Sequence, residues 1–177
     1  MKSIDFLLFA ILSVIAFSSC GVYSFTGATL SPDMKTLSIQ NFFDEAGNGP
    51  PTLSINFTES IKEYFQRNTT LSLVPAEGDL QLEGSIIRYD LAPLAPTTSG
   101  NINFPDAGVA ALQRLNITIK VSYVNLVEES KNFDQNFTFF ADYNPQTTDF
   151  NSIESQLVDE IFEQIILDIF NATIADW

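Results

Sequence analysis

The chain has 177 residues, a length that suits a single domain, and carries 8 basic against 22 acidic side chains for a net charge of −14. That balance argues against nucleic acid, which needs a basic footprint, and against an electrostatic hold on anionic lipid headgroups. With no histidine and a single cysteine, Ser-His and Cys-His nucleophiles, His/Cys zinc sites and an intrachain disulfide are excluded.

The first 19 residues read as a signal peptide. Lys2 gives a short positive start, and Phe6 to Phe17 is apolar except for Ser13. At about a dozen residues this run is too short to span a membrane, which takes roughly 20. It suits an h-region followed by a small-residue processing site at Ser18-Ser19. Cys20 comes next and looks like a lipobox cysteine, although Phe17 stands where leucine is more usual. Cleavage there removes Lys2 and Asp5, leaves the net charge unchanged, and makes Cys20 the lipid-bearing N-terminus. More than one acyl chain gives stable anchoring, each buried CH₂ contributing about 0.8 kcal/mol. Gly21 follows, and no acidic residue appears before Asp33. By resemblance to other lipoproteins, this points to the periplasmic face of an outer membrane.

Residues 20–36 are expected to form a lipidated tether and lead-in segment, and residues 37–177 a single α+β domain. Leu37, Ile39, Asn41 and Phe43 alternate with Ser38, Gln40 and Phe42 as a short strand. The breaker-rich loop Glu45 to Pro51 precedes a helix with Thr52 or Ser54 at its cap. Its apolar face is Leu53, Phe57, Ile61, Tyr64 and Phe65, ending near Asn68. Leu71 to Pro75 suits a short edge strand, and Glu77-Gly78-Asp79 a turn. In the next strand Leu80, Leu82 and Ile86 share a face, and the parity switches at Ile86-Ile87, predicting a bulge helped by Gly84. Ala92 to Ala110 reads as a long loop, either functional or mobile. Leu112 to Val127 alternates cleanly, with Leu115, Ile117, Ile119, Val121 and Tyr123 opposite Arg114, Asn116, Thr118, Lys120 and Ser122. The polar turn 128–131 joins it to a matching strand over 133–143, which makes a hairpin. The terminal helix starts at Asn151, with Glu154 in the capping-box position. It buries Ile153, Leu157, Val158, Ile161, Phe162, Ile165, Ile166, Ile169 and Phe170. The expected fold is α+β, a two-layer sandwich with two helices on one face of a mostly antiparallel four-stranded sheet.

The other sheet face carries Asn, Thr, Ser, Arg and Lys. It suits either a solvated surface or contact with a polar partner surface. The terminal helix adds Glu154, Asp159, Glu160, Glu163 and Asp168 with no basic residue, which suits a solvated acidic face or a dock for a basic partner.

Several stretches resemble the LptE family of lipopolysaccharide-assembly lipoproteins, in its Bacteroidota-like branch. They are Cys20-Gly21-Val22-Tyr23-Ser24-Phe25-Thr26-Gly27, Lys35 to Gln40, Gly78 to Ile86, Ala111 to Val121, and the ending Ile169 to Trp177. The resemblance implies two helices on a four-stranded sheet and no enzymatic activity, metal or cofactor. The implied role is to plug, and help assemble, the LptD β-barrel that exports lipopolysaccharide at the outer membrane. Some members of the family are thought to bind lipopolysaccharide through basic residues. Here the candidates for lipopolysaccharide or partner contact are Arg88, Arg114, Lys120 and Lys131. The strong negative charge ranks that role behind the barrel plug.

Two other function classes compete. One is a periplasmic binding module for a hydrophobic or glycolipid ligand, with the 92–110 loop as a lid. The other is a carboxylate enzyme such as a small glycosidase, which needs two carboxyls about 5–9.5 Å apart. Glu45, Asp79, Glu83, Asp90 and Asp142 are candidates by residue type, with no motif among them.

Overall fold

A computed structural model describes residues 33–94 and 112–174. The signal peptide, Cys20, the tether to residue 32 and loop residues 95–111 lie outside the described residues. The elements are β1 (Thr36–Ile39), β2 (Phe43–Asp44), α1 (Leu53–Asn68), β3 (Ser72–Leu73), β4 (Leu80–Pro93), β5 (Gln113–Asn125), β6 (Phe133–Tyr143) and α2 (Phe150–Thr173). A 3₁₀ turn at Glu129–Lys131 connects β5 to β6.

Two helices pack on one face of a mixed sheet, as the order of elements predicts, but the sheet has six strands rather than four. They run β3-β1-β4-β5-β6, with β2 beside β4 next to β1. The long strands β4, β5 and β6 are antiparallel, whereas β1 pairs in parallel with both β3 and β4, and β2 in parallel with β4. Parallel neighbours need a crossover of a dozen or more residues, and α1 supplies it between β1 and β3. The expected first strand is split. Ile39 pairs with Leu82 and Phe43 with Ser85, so four steps on one chain match three on the other. That extra residue reverses parity. Phe42, not Phe43, enters the core (3% exposed), and Phe43 is left 69% exposed.

The bulge predicted in β4 is present. The β4–β5 register shifts between Ile86 and Arg88, leaving Ile87 without an opposite residue. Gly84 is required close by: a Cβ there would lie 2.1 Å from the Lys120 carbonyl oxygen and 2.7 Å from the Phe42 ring. The β5–β6 hairpin is regular from Gln113↔Tyr143 to Tyr123↔Phe133.

The segment between β3 and β4 carries the chain from one side of β1 to the other. It does so at Gly78, whose Cβ would sit 2.6 Å from the Ser38 nitrogen. Glu77 takes the left-handed conformation there (φ 54°). Asp79 then fastens the crossing. Its Oδ2 accepts from the Lys35 and Thr36 backbone N–H groups, both at 2.9 Å, and from the Thr36 hydroxyl at 2.8 Å. The Asp79 carbonyl accepts from the Leu126 N–H, so one residue joins the ends of β1, β4 and β5. The folded unit reaches back into the expected lead-in segment, since Met34 is buried in the core.

The core lies between the sheet and the helices. Leu115, Ile117, Ile119, Val121 and Tyr123 of β5 are all buried beneath α2 and α1. Phe57 of α1 bridges the layers, edge-to-face with Phe42 and with Phe162 of α2 at 4.9 Å each. On α2, Leu157, Val158, Ile161, Phe162, Ile165, Ile166 and Ile169 are buried, while Ile153 and Phe170 are partly so. The cap differs from expectation. The helix begins at Phe150 behind Asp149, and Asn151 lies inside it. Glu154 makes no capping box; it accepts a 2.5 Å hydrogen bond from the Tyr89 hydroxyl instead. Burial, and secondarily this carboxylate, push the Tyr89 hydroxyl pKa up.

Candidate functional site

The strand registers assign the face turned away from the helices. Successive rows across it are Glu83–Ser122–Asp134, then Phe43–Ser85–Lys120–Asn136, and then Arg88–Thr118–Thr138. Beyond them come Asp90–Asn116–Phe140 and Ala92–Arg114–Asp142. Alternation in β5 and β6 is the cause, since residues two apart point to the same side.

This face is cross-linked by its own side chains. Arg114 is bidentate to Asp142, Nε–Oδ1 2.7 Å and Nη2–Oδ2 2.8 Å, and its guanidinium lies 3.5 Å over the Phe140 ring centre. The hydrogen bonds to Asp142 raise the Arg114 pKa further. Thr118 and Thr138 hydroxyls are 2.9 Å apart across β5 and β6. Asn116 Nδ2 donates to Asp90 Oδ2 at 3.3 Å across β4 and β5. Arg88 Nε lies 3.0 Å from Asp90 Oδ1. That contact is a charge pair without hydrogen-bond alignment, since the same oxygen has no hydrogen-bond partner.

Of the four basic candidates, Arg88, Arg114 and Lys120 share this face, while Lys131 sits in the turn between β5 and β6. Three are paired with carboxylates: Arg88 with Asp90, Arg114 with Asp142, and Lys131 with Glu128 at 3.1 Å. Lys120 is exposed and forms no ion pair among the described residues. Arg114 and Lys120 stand six residues apart on one strand, roughly 20 Å, so they cannot grip one phosphate. Three of the five carboxylate candidates are similarly occupied: Asp79 holds β1, Asp90 holds Asn116, and Asp142 holds Arg114, while Glu45 and Glu83 are exposed and form no ion pair among the described residues.

Sequence reasoning missed the exposed aromatics on this face, Phe43 and Phe140. Phe140 falls on the polar parity of a clearly alternating strand, which was a usable signal. Phe43 was not readable, because either residue of Phe42-Phe43 fits the core until the register is known. Among the described residues there is no His/Cys/Asp/Glu cluster able to hold a metal ion, and no helix is long and apolar enough to cross a membrane. A groove of about 550 Å³ runs between the helices, lined by Ser60, Glu63, Tyr64, Arg67, Glu163 and Ile166 among others.

Residues 34–173, which include every element of the fold, match the family model described as "LptE: Lipopolysaccharide-assembly". The chain belongs to the LptE family. LptE proteins are non-enzymatic lipoproteins of lipopolysaccharide assembly, so the expected family and absence of enzymatic activity both stand. Comparison with curated proteins gave no match. Among solved structures, the hypothetical protein CT253 from Chlamydia trachomatis has the same fold at 9% identity, with TM-score 0.51 over 80% of this chain and 99% of its own. The rare lipoprotein B from Shewanella oneidensis is similar at 14% identity and TM-score 0.48, over 78% of this chain and 90% of its own. A minor lipoprotein from Acinetobacter baumannii shows 12% identity and TM-score 0.49, over 79% and 90%.

Proposed function

We propose that this LptE-family chain plugs an LptD-type outer-membrane β-barrel and assists its assembly, held at the periplasmic face of the membrane by acyl chains on Cys20. The observation that carries this reading is the sheet's outer face. No helix among the described residues covers it, and it is polar in composition and fixed by Arg114–Asp142, Thr118–Thr138 and Asn116–Asp90. A barrel lumen is polar and partly watered. A rigid polar face suits such a surface, because pre-set side chains lose little freedom on contact. The acidic side of α2 adds a surface for basic lumen residues.

Isolation of the full chain from detergent-solubilised outer membranes tests the role. A barrel protein in one-to-one ratio, and loss of lipopolysaccharide export on depletion, are the expected results. A barrel that assembles and exports normally without the chain would sink the proposal. The anchor is tested separately: residues 21–177 exported behind a signal peptide without a lipobox should appear in the soluble fraction rather than the membrane pellet, as expected when two or more acyl chains are lost.

Direct contact with lipopolysaccharide is a secondary reading, and Lys120 is its best-placed residue. Arg88, Arg114 and Lys131 would have to leave carboxylate partners to meet a phosphate. The inter-helix groove does not favour the alternative of a hydrophobic-ligand module, since Glu63, Arg67 and Glu163 line it.

A further inference from the structure

The structure assigns β6 as a strand-addition edge for an extended segment of a partner protein that carries Lys or Arg beside Asp134. The inference goes beyond the barrel reading and does not depend on which protein the partner is.

The direction of the backbone groups follows from the ladder. The Leu126 N–H donates to the Asp79 carbonyl. The Leu80↔Asn125 pair between them is therefore a non-hydrogen-bonded pair. Even-numbered residues of β5 thus bond to β4 and odd-numbered ones to β6. The Leu94 N–H bond to the Leu112 carbonyl at the far end agrees. Carried through the unbroken β5–β6 register, odd-numbered residues of β6 bond inward to β5. The N–H and C=O groups of Asp134, Asn136, Thr138, Phe140 and Asp142 then point away from the sheet. All five residues are exposed. No backbone group among the described residues pairs with them, since β6 ends the strand order.

Open edges invite pairing, and proteins blunt them with proline, lysine, bulges, inward-pointing charge or very short strands. The opposite edge of this sheet is blunted by brevity, because β3 and β2 have two residues each. β6 has 11 residues, no proline, no lysine, no bulge, and no charge on its helix-facing positions. That length offers a ladder of roughly 35 Å.

Charge selects the occupant. A second copy pairing antiparallel about Thr138 would set Asp134 against Asp142 twice, between two chains each of charge −14. Like charges directly opposite are destabilising. Asp142 already holds Arg114, whereas Asp134 forms no ion pair among the described residues. A basic side chain on the incoming strand completes Asp134.

Residue-resolved hydrogen exchange tests this on the full chain isolated with its membrane partners, compared with the Cys20→Ser chain expressed alone. The amides of Asp134, Asn136, Thr138, Phe140 and Asp142 should exchange at least about tenfold more slowly in the complex, while the odd-numbered amides keep their protection. Asn136→Pro removes an outward N–H and no hydrogen bond within the sheet, so it should preserve the melting temperature and cut partner retention roughly tenfold. Asp134→Lys should weaken retention more than Asp134→Asn; equal retention would remove the basic requirement. Equal exchange in both samples would overturn the proposal. So would a concentration-dependent dimer of the isolated chain that Asn136→Pro abolishes, which would give the edge to a second copy. A barrel that co-isolates while these amides stay open refutes strand addition and leaves the plug reading intact. Protection by a protein other than a barrel does the reverse.

Discussion

Asp79 shows how a single side chain can fix the start of a fold. Three hydrogen bonds converge on one of its oxygens, from the Lys35 and Thr36 backbone and the Thr36 hydroxyl, and they hold its pKa below the usual carboxylate range. A folded-state pKa below the unfolded value, about 3.9, means the ionised form stabilises the protein at every pH above that value. The stabilisation disappears as pH falls through the folded pKa. Thermal melts from pH 7 to pH 3 should therefore show Asp79→Asn less stable at neutral pH and flatter on the acid limb than the parent. Parallel curves would refute this account. Gly84 is fixed for a different reason, lack of space. Gly84→Ala should cost about 1–3 kcal/mol, because the Lys120 carbonyl is backbone and cannot move aside cheaply. The urea midpoint measures it.

Among the elements, α1 depends on Phe57, which touches Phe42 on the sheet side and Phe162 on α2. Phe57→Ala should lose about 3–5 kcal/mol in chemical denaturation. Ile55→Ala, two residues away and exposed, should stay within about 0.5 kcal/mol. Both helices and the three long strands were legible from periodicity, and so was the β4 bulge, since a parity switch at Ile86-Ile87 has few other causes. Pairing direction was not legible. A short apolar run such as Leu37–Phe43 does not encode whether its neighbour runs alongside or against it, and the split between β1 and β2 turns on one unpaired residue. The Asn151–Glu154 capping box failed because the helix starts one residue earlier, behind Asp149, and Glu154 instead meets Tyr89, far away in sequence. The outer face was legible as polar. Which of its charges were already paired was not, because Arg114–Asp142 and Arg88–Asp90 depend on register and rotamer.

At the scale of the whole molecule, charge is the dominant liability. Repulsion within a chain of net charge −14 opposes compaction. Salt shortens its reach from roughly 30 Å at 0.01 M to about 3 Å at 1 M. The melting temperature should rise over that range, by about 2–4 °C for each kcal/mol of repulsion relieved. A flat or falling curve would show that the acidic groups are too well separated to matter. The same acidity makes a basic surface the natural complement of this protein, whether in a barrel lumen or on a strand added to β6.

The crossing at Gly78 and Asp79 also has a mechanical meaning. If Cys20 is fixed in a membrane, a pull on the domain must first draw Met34 from the core and then reaches Lys35 and Thr36. There the load runs along β1, which lies in parallel between β3 and β4. Its hydrogen bonds are strained in shear, many at once, together with the three on Asp79. The β1 hydrogen bonds and Asp79 therefore resist that load together, and Asp79→Asn should lower the force at which β1 detaches.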